Sequence, residues 1–222
     1  MKADRKIAII VGVLYIIGTV AGVLSLVLAG SILDDPNYLT EISANENQIL
    51  IGAIFFLTMG FSLAMVPVLL FPIFKKHNEA LAVGYVVFRG ASETMIYLAG
   101  VVTWLLLLTL SREYVDSGTP DASYFQTLGN LLHEASAWID LISTINFSLG
   151  ALMISYIFYQ SKLVPVWLSV WGLISATLVL AVGLFGMFDV NLQVLWAPLA
   201  VQEMVMALWL IIKGFSPSKT VN

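Results

Sequence analysis

The sequence of 222 residues has no cysteine and only two histidines. Without cysteine there is no disulfide, no iron–sulfur ligation, no thiol nucleophile and no thiol lipidation, and the redox compartment cannot be read. Charge is scarce as well: 11% of residues are charged, against about a quarter in soluble domains. Lysine and arginine form no basic face, which removes nucleic acid from the partners to be considered. The net charge of -4 reflects acidic residues gathered in a few connecting segments. Neither His77 nor His133 lies inside an apolar run, so a haem held between helices would lack its axial ligands. A zinc-protease motif is absent too. The expectation is a chain with no cofactor and no metal.

What the sequence has in quantity is apolar surface, with 59% hydrophobic residues and a mean hydropathy of +0.94. A bilayer-spanning helix needs roughly 20 apolar residues, and runs of about that length or more cover 7–30, 49–74, 81–110, 139–159, 166–188 and 192–212. These predict an all-α integral membrane bundle of six transmembrane helices, occupying 1–222 as a single domain. The first run follows Lys2, Arg5 and Lys6 as a secretory signal would, but it is longer than the 7 to 15 residues of a typical signal core. The third run exceeds what a bilayer needs, so it is either tilted or continues toward Arg112. Before the fourth span, Phe125, Leu128, Leu131 and Leu132 recur at helical spacing opposite Gln126, Asn130, His133 and Glu134. That pattern predicts an interfacial amphipathic helix over 123–138, lying on the membrane surface. Pro67 and Pro72 predict a kink or a loosened last turn in the second span.

Lysine and arginine are retained on the cytoplasmic side during insertion. Six spans place Lys2, Arg5, Lys6, Lys75, Lys76, Lys162, Lys213 and Lys219 on one side and Arg112 on the other, with Asp34, Asp35, Glu41, Glu46, Glu113, Asp116, Asp121 and Asp189. Both termini are therefore expected in the cytoplasm, and membrane lipids are the first partners. Gly18 and Gly22 form a small-xxx-small spacing that lets another helix approach closely, within the bundle or from a second copy in a homo-oligomer. No internal repeat is visible, so the inverted-repeat pattern of many transporters is missing.

Ionisable groups within spans cost about 2.5 to 3.5 kcal/mol each on insertion scales, which makes them candidates for function. Arg89, Glu93 and Glu203 qualify. Arg89 and Glu93 share a face of the third helix, flanked a turn away on either side by Tyr85 and Tyr97. Counted inward from Glu79 and Lys213, Arg89 and Glu203 both lie roughly 15 Å deep, so Arg89 can bridge both carboxylates if the helices touch. Asn146 of the fourth span falls near the level of Glu93. Two carboxylates facing one guanidinium leave a spare negative charge, which calls for a proton, a cation or a cationic ligand group. His133, Ser136 and Asp140 have the residue types of a hydrolytic triad, but on one helix they do not converge as a triad must. Asp140 is expected at an exposed helix start, and His77 in a cytoplasmic loop.

Several separated stretches resemble a bacterial membrane-protein family of unknown function, domain-of-unknown-function family four-three-eight-six. They are Leu70-Phe71-Pro72, then Ala82-Val83-Gly84-Tyr85 with Phe88-Arg89 and Glu93, then Tyr159 through Pro165 with Trp167-Leu168 and Gly172, and finally Glu203 through Phe215. The resemblance implies a polytopic protein of the bacterial cytoplasmic membrane and brings no activity with it. Three readings follow: a protein binding or transporting a small or amphiphilic ligand at Arg89, Glu93 and Glu203, lined by Tyr85, Tyr97 and Asn146; an intramembrane enzyme using a glutamate as general acid or base on a lipid; or an accessory or sensory protein in which the cluster only fixes helix packing.

Overall fold

The computed structural model describes residues 2–118 and 122–216. Among them it is helical throughout, with six helices long and apolar enough to cross a membrane: Asp4–Leu33, Glu46–Phe74, Glu79–Asp116, Ser123–Ser161, Val166–Gly186 and Gln193–Ile212. Asp121 and Lys219 lie outside the described residues.

Local chemistry sets the boundaries. Asn78 caps the third span, its side chain accepting the Leu81 N–H at 3.1 Å. The fourth span ends at Lys162, which takes a positive φ of 54°, and Pro165 precedes the first turn of the fifth. Gly214, at φ 72°, closes the sixth and returns its N–H to the Trp209 carbonyl at 3.2 Å.

Each span packs on the next, and the sixth returns to the first, so the six form a ring. At the end bearing Lys75, Lys76, Lys162 and Lys213, one apolar core draws residues from all six spans, among them Val11, Leu70, Tyr85, Phe158, Leu168 and Leu210. Beyond it the buried apolar residues divide. One cluster belongs to the first three spans and the short helix Tyr38–Ala44. The other joins Phe147, Ala151, Ala176, Val179 and Leu199 of the last three.

Gly18 and Gly22 are used inside the bundle. A Cβ on Gly18 would meet Leu63 at 2.7 Å, and one on Gly22 would meet Met59 at 2.6 Å, both on the second span. Ser25 extends this close approach by donating to the Gly52 carbonyl at 2.8 Å.

Several local expectations change. The segment 123–138 is not a separate surface helix, because it is continuous with the fourth span in one 40-residue helix, Ala122–Ser161. At 1.5 Å per residue that helix runs roughly 60 Å, about twice a hydrocarbon core. Its extension has a structure to pack against. The third span also continues to Asp116, and the two antiparallel extensions meet through Tyr114 and Phe125. Tyr38 donates to Asn130 at 3.0 Å, and Ser111 donates to the Leu39 carbonyl. Asp140 is thus exposed in mid-helix, not at a helix start. The second span runs through Pro67 and Pro72 to Phe74 as one continuous helix, as a proline-kinked helix also does. Two π turns, Leu26–Gly30 and Val86–Ser92, interrupt the first and third spans, and nothing in the apolar periodicity announces them.

Candidate functional site

The second π turn carries Arg89. In a π turn the amide bonds five residues back instead of four, which widens the helix locally and is frequent at functional sites. Here the Glu93 N–H reaches the Phe88 carbonyl, and Asn146 of the fourth span donates to the same oxygen at 2.8 Å. Asn146 therefore braces the widened backbone. Gly150, one turn on, lets the fourth helix lie against Arg89, since a Cβ there would sit 3.2 Å from the Arg89 Cβ.

The guanidinium is 2% exposed and is enclosed on three sides. Glu93, 1% exposed, forms a close ion pair with it along the helix. Glu203, at 18% exposure, approaches from the sixth span with Nη2 to Oε1 at 3.5 Å. The ring of Phe147 lies 4.2 Å from the guanidinium carbon, a cation–π contact. Tyr97 donates to Glu93 Oε1 at 2.5 Å, leaving Glu93 Oε2 buried without a hydrogen-bond partner. Tyr85 pairs its hydroxyl with Tyr15 at 3.2 Å, both rings being fully buried.

The structure thus brings Arg89, Glu93, Glu203 and Tyr97 into one cluster. It places Asn146 beside the cluster as a backbone brace and Tyr85 one turn below it. Sequence reasoning missed Phe147 and Tyr15. Phe147 adjoins Asn146, but nothing in the sequence says that its ring faces the guanidinium, and Tyr15 is one of three hydroxyl residues in the first apolar run, with Thr19 and Ser25. Among the described residues no group of histidine, aspartate and glutamate is arranged to hold a metal.

His133, Ser136 and Asp140 do not converge on one another. His133 faces Asp34 at 3.8 Å, and the Ser136 hydroxyl has no partner. In the turn after the second span, partial burial and then the neighbouring Lys76 lower the His77 pKa below its ordinary value. His77 is therefore neutral at pH 7, and the positive charge of that end rests on lysine and arginine.

Six spanning helices around a buried arginine–glutamate cluster define a polytopic membrane protein with an ionisable centre. The chain belongs to the family described as Domain of unknown function (DUF4386), which it matches over residues 10–214. No curated protein and no solved structure matches it.

Proposed function

We propose that this protein binds or transports a small or amphiphilic ligand at the Arg89, Glu93 and Glu203 cluster, with Glu203 as the carboxylate that exchanges a proton. It resides in the bacterial cytoplasmic membrane, lysine-bearing end toward the cytoplasm, as the one-sided distribution of lysine supports. One observation carries the reading: a single guanidinium faces two carboxylates, and only Glu203 is partly exposed. Glu93 already neutralises Arg89 and is fixed by Tyr97, so the surplus charge falls on Glu203. Arg89 donates to both carboxylates, and the Phe147 ring covers one face of its guanidinium.

A hydrophobic carbodiimide modifies carboxyls in their protonated form, so it reports proton exchange within a bilayer. In proteoliposomes the expected result is modification of Glu203, found by peptide mass mapping, that falls as pH is raised and disappears in Glu203→Gln. Absence of the adduct from pH 5 to 9 would mean a permanently ionised, sealed carboxylate and would remove this function.

A second reading, an ion cluster that only fixes helix register, draws on the locked state of Glu93 and the bracing by Asn146. It predicts no accessible proton at Glu203, so the same assay separates the two.

A further inference from the structure

At the end away from the lysines, the short helix Tyr38–Ala44 and the extensions of the third and fourth spans frame a cleft of about 180 Å³. Counted from Lys162, Asn130 and Gln126 lie roughly 48 and 54 Å along the fourth helix. A bilayer with its headgroups is about 40–45 Å thick, so the cleft opens to water. Counted along the third span, Tyr114 lies roughly 37 Å from Arg89. The cleft is thus a second site, independent of the charged cluster.

Its walls are held by contacts between the elements. Tyr38 donates to Asn130, and Gly129 leaves room for it, since a Cβ there would collide with the Tyr38 hydroxyl. Ser111 fixes the short helix to the third span through the Leu39 carbonyl. Tyr38 also packs on His133, ring centroids 5.8 Å apart, and Tyr114 on Phe125 at 5.9 Å. Such a framework stands before any ligand arrives, so little ordering is left to oppose binding.

Tyr38 and Tyr114 line the cleft together with Asn37, Thr40, Gln126 and Asn130, and among the described residues lining it none is charged. Asn130 accepts from Tyr38 with its oxygen, which leaves its NH2 to donate. Asn37, Thr40 and Gln126 are exposed and bring both donors and acceptors. An anion is not favoured here, because Arg112 is paired with Glu46, His133 faces Asp34, and Asp35 and Glu113 adjoin the lining in sequence. A cation would give up hydration with no carboxylate in the lining to replace it. Amides and hydroxyls stand on the short helix as well as on the fourth, which suits a ligand whose own hydroxyls radiate in several directions. A flat heteroaromatic base would offer hydrogen-bonding atoms only along its edge. The volume fits one ring: an apolar cavity of about 150 Å³ takes benzene, and pockets for drug-sized ligands begin at about 300 Å³. We infer that this cleft binds a single neutral sugar ring from water, its C–H face on tyrosine and its hydroxyls on the amides of Asn130 and Gln126.

Saturation-transfer NMR on the protein in lipid nanodiscs tests this with methyl β-glucoside, methyl β-galactoside, methyl α-mannoside and N-acetylglucosamine as probes. Glucuronate is the anionic control and adenosine the flat one. Transfer is expected to the ring C–H protons of at least one neutral sugar, beyond that in empty nanodiscs, and to neither control. Gln126→Ala, at an exposed position, should raise the dissociation constant from a titration roughly fivefold, the worth of one hydrogen bond. Absence of transfer to every neutral sugar, an unchanged constant in Gln126→Ala, or equal or stronger transfer to either control would overturn the inference. Nanodiscs made with a glucosyl diacylglycerol separate the two sources of such a ring. Competition by that lipid would overturn a sugar arriving from water, and unchanged transfer supports it.

Discussion

Arg89 is the residue on which the centre of the molecule depends, because every group around it is there to offset its burial. A charge left unpaired in such a place costs several kcal/mol, whereas removing all partners together can be nearly neutral. Arg89→Leu alone strands Glu93, whose second oxygen already has no partner, and should lower stability by about 3–5 kcal/mol. The triple replacement Arg89→Leu, Glu93→Leu, Glu203→Leu should recover most of that loss. Thermal unfolding in lipid nanodiscs checks both, and a single variant as stable as wild type would show that the cluster is more hydrated than its burial indicates. The sequence made these three residues legible through the rarity of charge in apolar runs, and counting depth put Arg89 and Glu203 level. It could not assign their roles, since whether Glu93 or Glu203 is the sealed carboxylate depends on neighbours from other helices.

At the scale of the element, the π turn at Val86–Ser92 decides how the third span presents Arg89. Its Phe88 carbonyl accepts from Glu93 within the helix and from Asn146 across to the fourth. Removing one such buried donor costs about 1–3 kcal/mol. Asn146→Leu should therefore speed amide exchange at residues 89–93 more than elsewhere in the third span, measured by hydrogen exchange with mass spectrometry. Uniform protection in that variant would mean that the widened turn holds itself. Nothing in the sequence foretells this turn, because apolar residues on all sides of a membrane-spanning helix erase the periodicity that would reveal a register change. The extension of the fourth span was half legible. Its amphipathic pattern showed correctly that one face of 123–138 is apolar, but a membrane surface and a neighbouring helix satisfy that face equally well. Tyr38, Tyr114 and the third span's own extension supply the neighbour.

For the whole molecule, the two halves differ in how they are held. One apolar core and the Arg5 clamp unite all six spans at the lysine-bearing end, and beyond the charged cluster the buried apolar residues form two clusters, bridged where the third and fourth spans pack together. Arg5→Ala removes three bonds to carbonyls at the end of the sixth helix, where a cation is also favoured by the helix dipole. Its expected effect is faster exchange and earlier proteolysis at 209–214, with a loss of about 1–3 kcal/mol, while Glu203 keeps its carbodiimide reactivity. Altered reactivity at Glu203 would show that the clamp and the cluster are coupled along the sixth helix.

By itself the sequence determined the class, the number of spans and the charged residues that need an explanation. Each of these follows from a quantity that is additive along the chain: apolar length against bilayer thickness, and the cost of charge in lipid. The tertiary structure alone decided which oxygen pairs with which nitrogen, which backbone turn opens, and where the common core divides. Those depend on residues distant in sequence meeting at a few ångströms, as Phe147 meets Arg89 and Asn146 meets Phe88, and no periodicity in a single segment encodes such a meeting.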